Sequence, residues 1–327
     1  MATYYYSFEN GQGVGNQLWS YISLKLIFKK RNENIFFTGY DFFKLKVLYP
    51  DVDFQSEFVV DFSADHIVYE KIDYAKNSDF PVKENLFKSL FELNQSDLKV
   101  ELKGLFQKES YLDGLNELSF LHYKYSSLPL IDKEICIIHV RGGDYLSIPA
   151  SLTLNYYNYA IKLMREKFKV INFKILTNDF KYARKLFPDF EIIGSGKTSQ
   201  TIEETNASHH IGGSIKEDFE ILYQARNVIL SNSTFAYWPV KISTHKKNII
   251  APMYWFAYNL SNGWWSPSDS IVESWIYINH AKNFFCEGKK IQKEKYKTLS
   301  SIKYNFYSIK FRIRGKLLKI LNWTSLN

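Results

Sequence analysis

Cysteine is scarce: Cys136 and Cys286 are the only two in 327 residues. Their spacing suits neither a zinc site nor a redox pair. No run of about 18 apolar residues exists, so no membrane-spanning helix is expected. No signal-peptide-like apolar stretch opens the chain, so secretion is not expected. A cytosolic, reducing location is the expectation. Internal repeats and low-complexity segments are absent, which argues against a solenoid or a disordered chain. The loop Gly11-Gln12-Gly13-Val14-Gly15-Asn16 lacks the third glycine of the dinucleotide fingerprint, because Asn16 stands there. No Asp or Glu is clearly anchored by a second strand about 20 residues on, so a nicotinamide cofactor is disfavoured. Gly194-Ser-Gly-Lys-Thr198 is half of a P-loop, with Glu191 where its first glycine belongs. NTP hydrolysis is therefore not expected. Asp51-Val-Asp53 sits beside Pro50 in an expected turn, and His209-His210 sits in a Gly/Ser loop, so neither is expected to hold a metal.

What is present is apolar and aromatic. Hydrophobic residues make up 46% of the chain and aromatics 17%, with 24 Tyr and 26 Phe, enough for bulky cores and for sugar-stacking surface alike. At about 150 residues per domain, the length fits two domains. The net charge of +8 is uneven: residues 281–327 carry 12 Lys/Arg and 2 Asp/Glu, a net of +10, and leave the rest at −2. In that tail Ile309, Phe311, Ile313, Leu317 and Ile320 interleave with Lys310, Arg312, Arg314, Lys316 and Lys319. Such a basic amphipathic segment can lie on an anionic membrane surface or remain solvated. No recognition motif accompanies the charge, so no nucleic-acid partner is expected.

Alternation of strand and helix signals gives the fold class. Thr3–Phe8 reads as a strand, and Leu18, Ile22 and Leu26 as one stripe of a helix ending near Lys29-Lys30. A strand over 34–38, a helix over 84–93 and a strand over 98–105 follow. A boundary falls near Leu128-Pro129-Leu130. Beyond it, 134–140, 173–177, 191–193 and 228–230 read as strands, and 248–251 closes the series. Helices over 155–167, 180–187 and 216–226 separate them. This is a parallel α/β sheet, and such sheets bind ligands beyond the carboxyl ends of their strands.

Two stretches occupy such ends. After the strand at 134–140 come His139, Arg141, Gly142, Gly143, Asp144 and Tyr145. A guanidinium there can grip phosphate oxygens in a fork, or Arg141 can pair with Asp144 and brace a turn. After the strand at 228–230 come Ser231, Asn232, Ser233 and Thr234. Their short polar side chains can cap a helix, hold an anion on its N-terminus, or do both. Pro239 makes a helix here start late or kink. The Gly13, Gly15, Asn16 loop is the third candidate for a phosphate.

These blocks, in this order, resemble the inverting α-1,2-fucosyltransferases of glycosyltransferase family eleven. Gly13-Val-Gly-Asn-Gln17 with Tyr21 is similar to that family's GGLGNQ stretch. Gly104-Leu-Phe-Gln107 through Tyr111 is similar to its GYFQSEKYF block. His139–Tyr145 resembles its HxRRGDY motif, followed by the helix that begins Tyr156-Tyr157. Asp218-Phe219 through Ser231-Asn-Ser-Thr-Phe235 resembles its DF…ISNSTF block, and Ile250-Ala-Pro252 with Trp255-Phe256 echoes the end of its core.

The resemblance implies a GT-B fold, two Rossmann-like lobes with a cleft between them. Residues 1–128 would form an acceptor-side lobe, 129–260 the lobe binding the GDP-sugar, and 261–327 an extension with the basic tail. It implies GDP-fucose as donor, a glycan or lipid-linked oligosaccharide as acceptor, and no cofactor or metal. It implies surface-polysaccharide synthesis at the inner face of the cell membrane. Arg141 would grip the diphosphate, with Asp144 beside it as a second catalytic candidate. His139 and Asp179 would line the nucleotide site, Asp218 would accept from guanine, and Ser231, Asn232, Ser233 and Thr234 would meet the phosphate. Asp144 and Glu9 are the candidate bases. The family carries a second arginine where Gly142 stands; if GDP-fucose is the donor, Gly142→Arg is expected to preserve or raise activity. A transferase for another GDP-deoxysugar and a non-catalytic glycan- or membrane-binding protein are the alternatives.

Overall fold

The computed structural model describes residues 2–60, 62–69, 98–123, 129–147, 151–194, 213–245, 247–253, 271–279 and 284–288. The helix expected over 84–93, the histidines 209 and 210, Thr198, Trp255, Phe256 and the basic tail past residue 288 lie outside the described residues. The chain divides into two compact units near residue 124.

The first unit holds β1 (Thr3–Ser7), α1 (Val14–Lys30), β2 (Ile35–Thr38), the short α2 (Leu45–Leu48), β3 (His66–Tyr69), β4 (Lys99–Lys103) and the short α3 (Phe120–Tyr123). Its four strands lie in the order β2-β1-β4-β3, all parallel. Tyr4 and Tyr6 of β1 point into the core, with Phe8 just beyond, as the period-2 pattern requires. Aromatics fill that core: Phe8, Tyr21, Phe37, Phe43, Phe54 and Phe58 meet in tilted and edge-on pairs.

The helix α1 is buried nearly all round, including Gln17, Ser20 and Ser23, rather than along the single stripe expected. Buried polar groups need partners, and distant backbone supplies them. Ser23 Oγ donates to Phe106 O at 2.9 Å, and Tyr6 OH donates to Gly104 O at 3.0 Å and lies 2.9 Å from Ser20 Oγ. Gln17 donates to Phe42 O at 2.8 Å and accepts from Lys44 N at 2.7 Å.

The second unit holds β5 (Ile135–Val140), α4 (Asp144–Ser147), α5 (Leu154–Phe168), β6 (Asn172–Thr177), α6 (Phe180–Leu186), β7 (Glu191–Ile193), α7 (Gly213–Gln224), β8 (Asn227–Ile229), α8 (Thr234–Ile242), β9 (Asn248–Pro252), β10 (Ile276–Asn279) and β11 (Phe284–Glu287). They form a seven-stranded sheet ordered β11-β10-β9-β8-β5-β6-β7, parallel except at β11. The expectation that the series closes at Ala251 is corrected here. β10 pairs in parallel with β9, and β11 adds an antiparallel edge. The strands past residue 261 thus complete this sheet rather than lying in a separate extension. Pro239 sits inside α8, which starts five residues before it, at Thr234. Strands β5 and β8 are buried on both faces, which is why they read as unbroken apolar runs.

Lys247 ties α7 to β9. Its ammonium donates to Tyr223 O at 2.6 Å, Leu222 O at 3.2 Å and Ala225 O, all at the C-terminal end of α7, where carbonyls lack helical partners. Lys247→Met keeps the apolar stem and deletes the donors. It is expected to lower stability by about 2 kcal/mol, read as a lower urea midpoint with an unchanged slope.

Candidate functional site

In the second unit the chain runs from β5 outward to β6 and β7, then returns to the other side of β5 with β8 and continues outward to β9 and β10. The connections following β5 and β8 therefore leave in opposite directions. The gap between their carboxyl ends is the topological switch point, where sheets of this kind bind ligands. The two chemistry-bearing stretches follow these two strands.

They are physically joined. His139 Nδ1 lies 2.7 Å from Ser231 Oγ, both side chains buried. Two tyrosines of α5 hold the adjoining carbonyls: Tyr156 OH donates to Leu230 O at 2.6 Å, and Tyr157 OH donates to His139 O at 3.5 Å. Both belonged to a recognisable helix, yet nothing in the sequence signalled this bracing role. Only the parallel pairing of β5 with β8 brings position 230 beneath position 156.

Arg141 follows the last residue of β5. Its guanidinium donates to Asp144 Oδ1 at 2.7 Å and lies 5.0 Å from the centre of the Tyr145 ring. The pairing of Arg141 with Asp144, the alternative to a phosphate grip in the sequence, is thus present, and it holds the arginine at the strand end. Gly142 and Gly143 turn the chain sharply, with Gly143 at φ +58°, a conformation that favours glycine.

Burial, with the charge of Arg141 nearby, pushes the His139 imidazole from 6.5 down to about 3. The ring is neutral at pH 7. The unfolded chain takes up this proton below about 6.5, whereas the folded chain resists until about 3. Stability is therefore lost as pH falls through that window, by about 1.4 kcal/mol per pH unit. His139→Asn keeps a polar atom near the Nδ1 position and cannot titrate. The drop in urea-derived stability between pH 6.5 and 4.5 is expected to be about 2 kcal/mol smaller in that variant.

The corner after β8 is packed, not open: Ser231, Asn232 and Ser233 are all buried. Ser233 is the N-cap residue of α8 by position, but its side chain makes no capping bond. Tyr237 N donates to Ser233 O at 3.1 Å, the first bond of the helix, and Ser233 N donates to Ser231 O at 2.9 Å. Thr234 opens the helix and is half-buried. The amino end of α8 is thus presented beside the Arg141 turn, with its positive dipole end at the switch point.

Asp179 is the N-cap of α6. Oδ1 accepts from Tyr182 N at 3.0 Å and Oδ2 accepts from Gly143 N at 2.8 Å. Asn178, which the sequence did not single out, accepts from Gly142 N at 3.0 Å. Asp218 is buried on α7, the helix whose Phe219 ring meets Phe235 of α8. Asp218 faces Gly194 at the end of β7, where an added Cβ would fall 2.3 Å from its Oδ1. Gly13, Gly15 and Asn16 belong to the first unit. There Gly13 is the N-cap of α1, and Gly15 and Asn16 form its first turn rather than a loop. Asn16 Oδ1 accepts from Gln107 Nε2 at 3.0 Å, joining two of the sequence blocks that carried the family resemblance. Asp53 Oδ1 accepts from Ser56 N at 3.4 Å, a local turn contact. Glu9 lies 3.6 Å from Lys103, which also meets Glu101 at 3.5 Å.

Residues 55–279 match the family described as Glycosyl transferase family 11. The chain belongs to that family. Two Escherichia coli proteins similar to this chain are an alpha-1,2-colitosyltransferase, 25% identical over 195 residues, and the O-antigen biosynthesis glycosyltransferase WbnK, 23% identical over 176 residues. The matches take in 55% and 51% of this chain, and the chain spans 62% and 51% of the length of these relatives. Among solved structures, the fucosyltransferase NodZ from Bradyrhizobium aligns over 73% of this chain and 91% of its own, at 15% identity and a TM-score of 0.38. The E. coli heptosyltransferase WaaC with ADP aligns over 78% of this chain and 88% of its own, at 10% identity and a TM-score of 0.39. The two α/β units of this chain, each built on a parallel sheet, are the pair of Rossmann-like lobes expected of a GT-B family member.

Proposed function

We propose that this chain is an inverting glycosyltransferase that moves L-fucose, or a closely related deoxysugar, from a GDP donor to a hydroxyl of a glycan. The observation that carries the reading is the switch point itself. Arg141 and the amino end of α8 stand on neighbouring strand ends, tied by the 2.7 Å contact between His139 and Ser231. Membership of family 11 supports glycosyl transfer. The relatives named for α-1,2-colitosyl transfer and O-antigen synthesis support an α-1,2 linkage in a surface polysaccharide, with colitose as the second donor sugar to test.

In this mechanism the acceptor hydroxyl attacks the anomeric carbon from the face opposite the diphosphate, the bond to GDP breaks, and the hydroxyl proton passes to solvent water. Negative charge grows on the leaving diphosphate. Arg141 neutralises it through a forked contact, and the dipole at the start of α8 adds stabilisation. His139 stays neutral, so it places no competing cation behind the arginine. Asp144 orients the guanidinium before the donor arrives. The basic tail is proposed to hold the enzyme at the cytoplasmic face of the membrane, near a lipid-linked acceptor.

The test is a panel assay: GDP-fucose and GDP-colitose, each with simple galactosides, followed by GDP release and linkage determination by NMR. The reading expects acceptor-dependent GDP release and an α-1,2 product. No acceptor-dependent release from either donor, by soluble folded protein, would overturn it. Co-sedimentation with phosphatidylglycerol vesicles, compared for the full chain and one ending at residue 288, tests the tail.

A further inference from the structure

Strands β5 and β6 pair over six positions, up to Val140 opposite Thr177. The turns that follow them therefore emerge side by side. In the first turn, two successive backbone N–H groups point across to the second: Gly142 N donates to Asn178 Oδ1 at 3.0 Å, and Gly143 N donates to Asp179 Oδ2 at 2.8 Å. The other oxygen of Asp179 caps α6 through Tyr182 N at 3.0 Å. Thr177 Oγ1 fixes the Asp179 backbone, accepting from its N–H at 3.0 Å and donating to its carbonyl at 3.2 Å. One carboxylate thus bridges a helix terminus and the neighbouring turn, with both oxygens engaged by N–H donors.

The fit is also steric. A Cβ added at Gly142 would lie 2.6 Å from Asp179 Cβ and 2.7 Å from its Oδ2. Such a contact is far inside van der Waals distance. Arg141 is the residue immediately before the two anchored N–H groups.

We propose that Asp179, with Asn178 as its companion, is the positioning residue for Arg141. Glycine stands at 142 because Asp179 fills the space a side chain there would need. The proposal rests on the reading that Arg141 grips a nucleoside diphosphate. It assigns Asp179 to holding the turn instead of touching the nucleotide. The gain is orientational. A guanidinium aimed in advance loses less freedom in the transition state, and misplacement by about 1 Å can cost on the order of 100-fold.

Asp179→Asn separates the roles. Its amide oxygen can still cap Tyr182 N, while its NH2 meets the Gly143 N–H donor to donor. Wild type, Asp179→Asn, Arg141→Ala and the double variant are compared for GDP affinity by calorimetry and for turnover of GDP-fucose. Exchange rates of the Gly142 and Gly143 amides are followed by NMR. Asp179→Asn is expected to lower turnover by roughly 10- to 100-fold and to speed exchange at Gly143. In the Arg141→Ala background the same change should cost no more than about twofold, because coupled residues are non-additive. Asn178→Ala, which removes only the Gly142 bond, should show the same pattern more weakly and serves if Asp179→Asn does not fold. Costs that multiply independently of Arg141, or unchanged amide protection, would overturn the proposal. If wild type neither binds GDP nor releases it, the donor reading fails, and amide protection alone then decides whether Asp179 holds the turn.

Discussion

Arg141→Ala lowers turnover on the order of 100-fold or more while the protein stays folded: this is the expected result of removing one charge-stabilising donor from a transition state of this kind. The fold should survive because the side chain carries little of it. Its partners are Asp144, whose carboxylate is largely solvent-exposed, and the face of Tyr145. An ion pair of that exposure contributes about 0–1 kcal/mol. The measurement is kcat/KM for the donor beside a thermal melt. Loss in the ratio should fall mainly on kcat, since the diphosphate charge that Arg141 meets grows as the sugar departs. Near-normal turnover would remove Arg141 from the mechanism.

Gly142→Arg is expected to be damaging, and here family resemblance and structure point in opposite directions. Relatives of the HxRRGDY pattern carry arginine at this position, so the sequence alone favours a neutral or improving change. In this chain the new Cβ would press on Asp179 at 2.6 Å. The displaced carboxylate would lose its bonds to Gly143 N and Tyr182 N. Losing the cap alone costs about 1 kcal/mol, and the steric strain adds to it, so a melting temperature several degrees lower is expected. Turnover should fall at least about 10-fold, because the Arg141 turn moves with it. Pairing the change with Asp179→Gly, which removes both the carboxylate and the Cβ that the new side chain meets at 2.6 Å, should recover part of the lost thermal stability. Full activity and unchanged melting in the single variant would show that the turn accommodates a side chain, contrary to this account.

Much of the second unit was legible in the sequence because its central strands are buried on both faces. Residues 134–140 read as an unbroken apolar run and residues 173–177 as a second buried strand between helical patterns, and both are strands. Arg141 and the Ser231–Thr234 corner were found for the same reason: sheet chemistry sits where such runs end. β10 and β11 were missed. Each has four residues, and the preceding strand closes the series on sequence alone, so only the pairing of β10 with β9 and of β11 with β10 identifies them. The burial of Ser20 and Ser23 was equally hidden. The carbonyls they bond, Leu105 O and Phe106 O, lie more than 80 residues away, and a helical stripe of Leu18, Ile22 and Leu26 says nothing about the opposite face. Asp179 could be picked out as a polar residue after a strand. Its bond to Gly143, 36 positions earlier, depends on β5 and β6 being neighbours.

The most direct test of the central claim is a crystal structure of the protein soaked or co-crystallised with GDP. The account predicts the diphosphate at the switch point between β5 and β8, within hydrogen-bond reach of the Arg141 guanidinium and the first N–H groups of α8. Nucleotide bound in the second unit away from both, or bound only elsewhere on the chain, would contradict it.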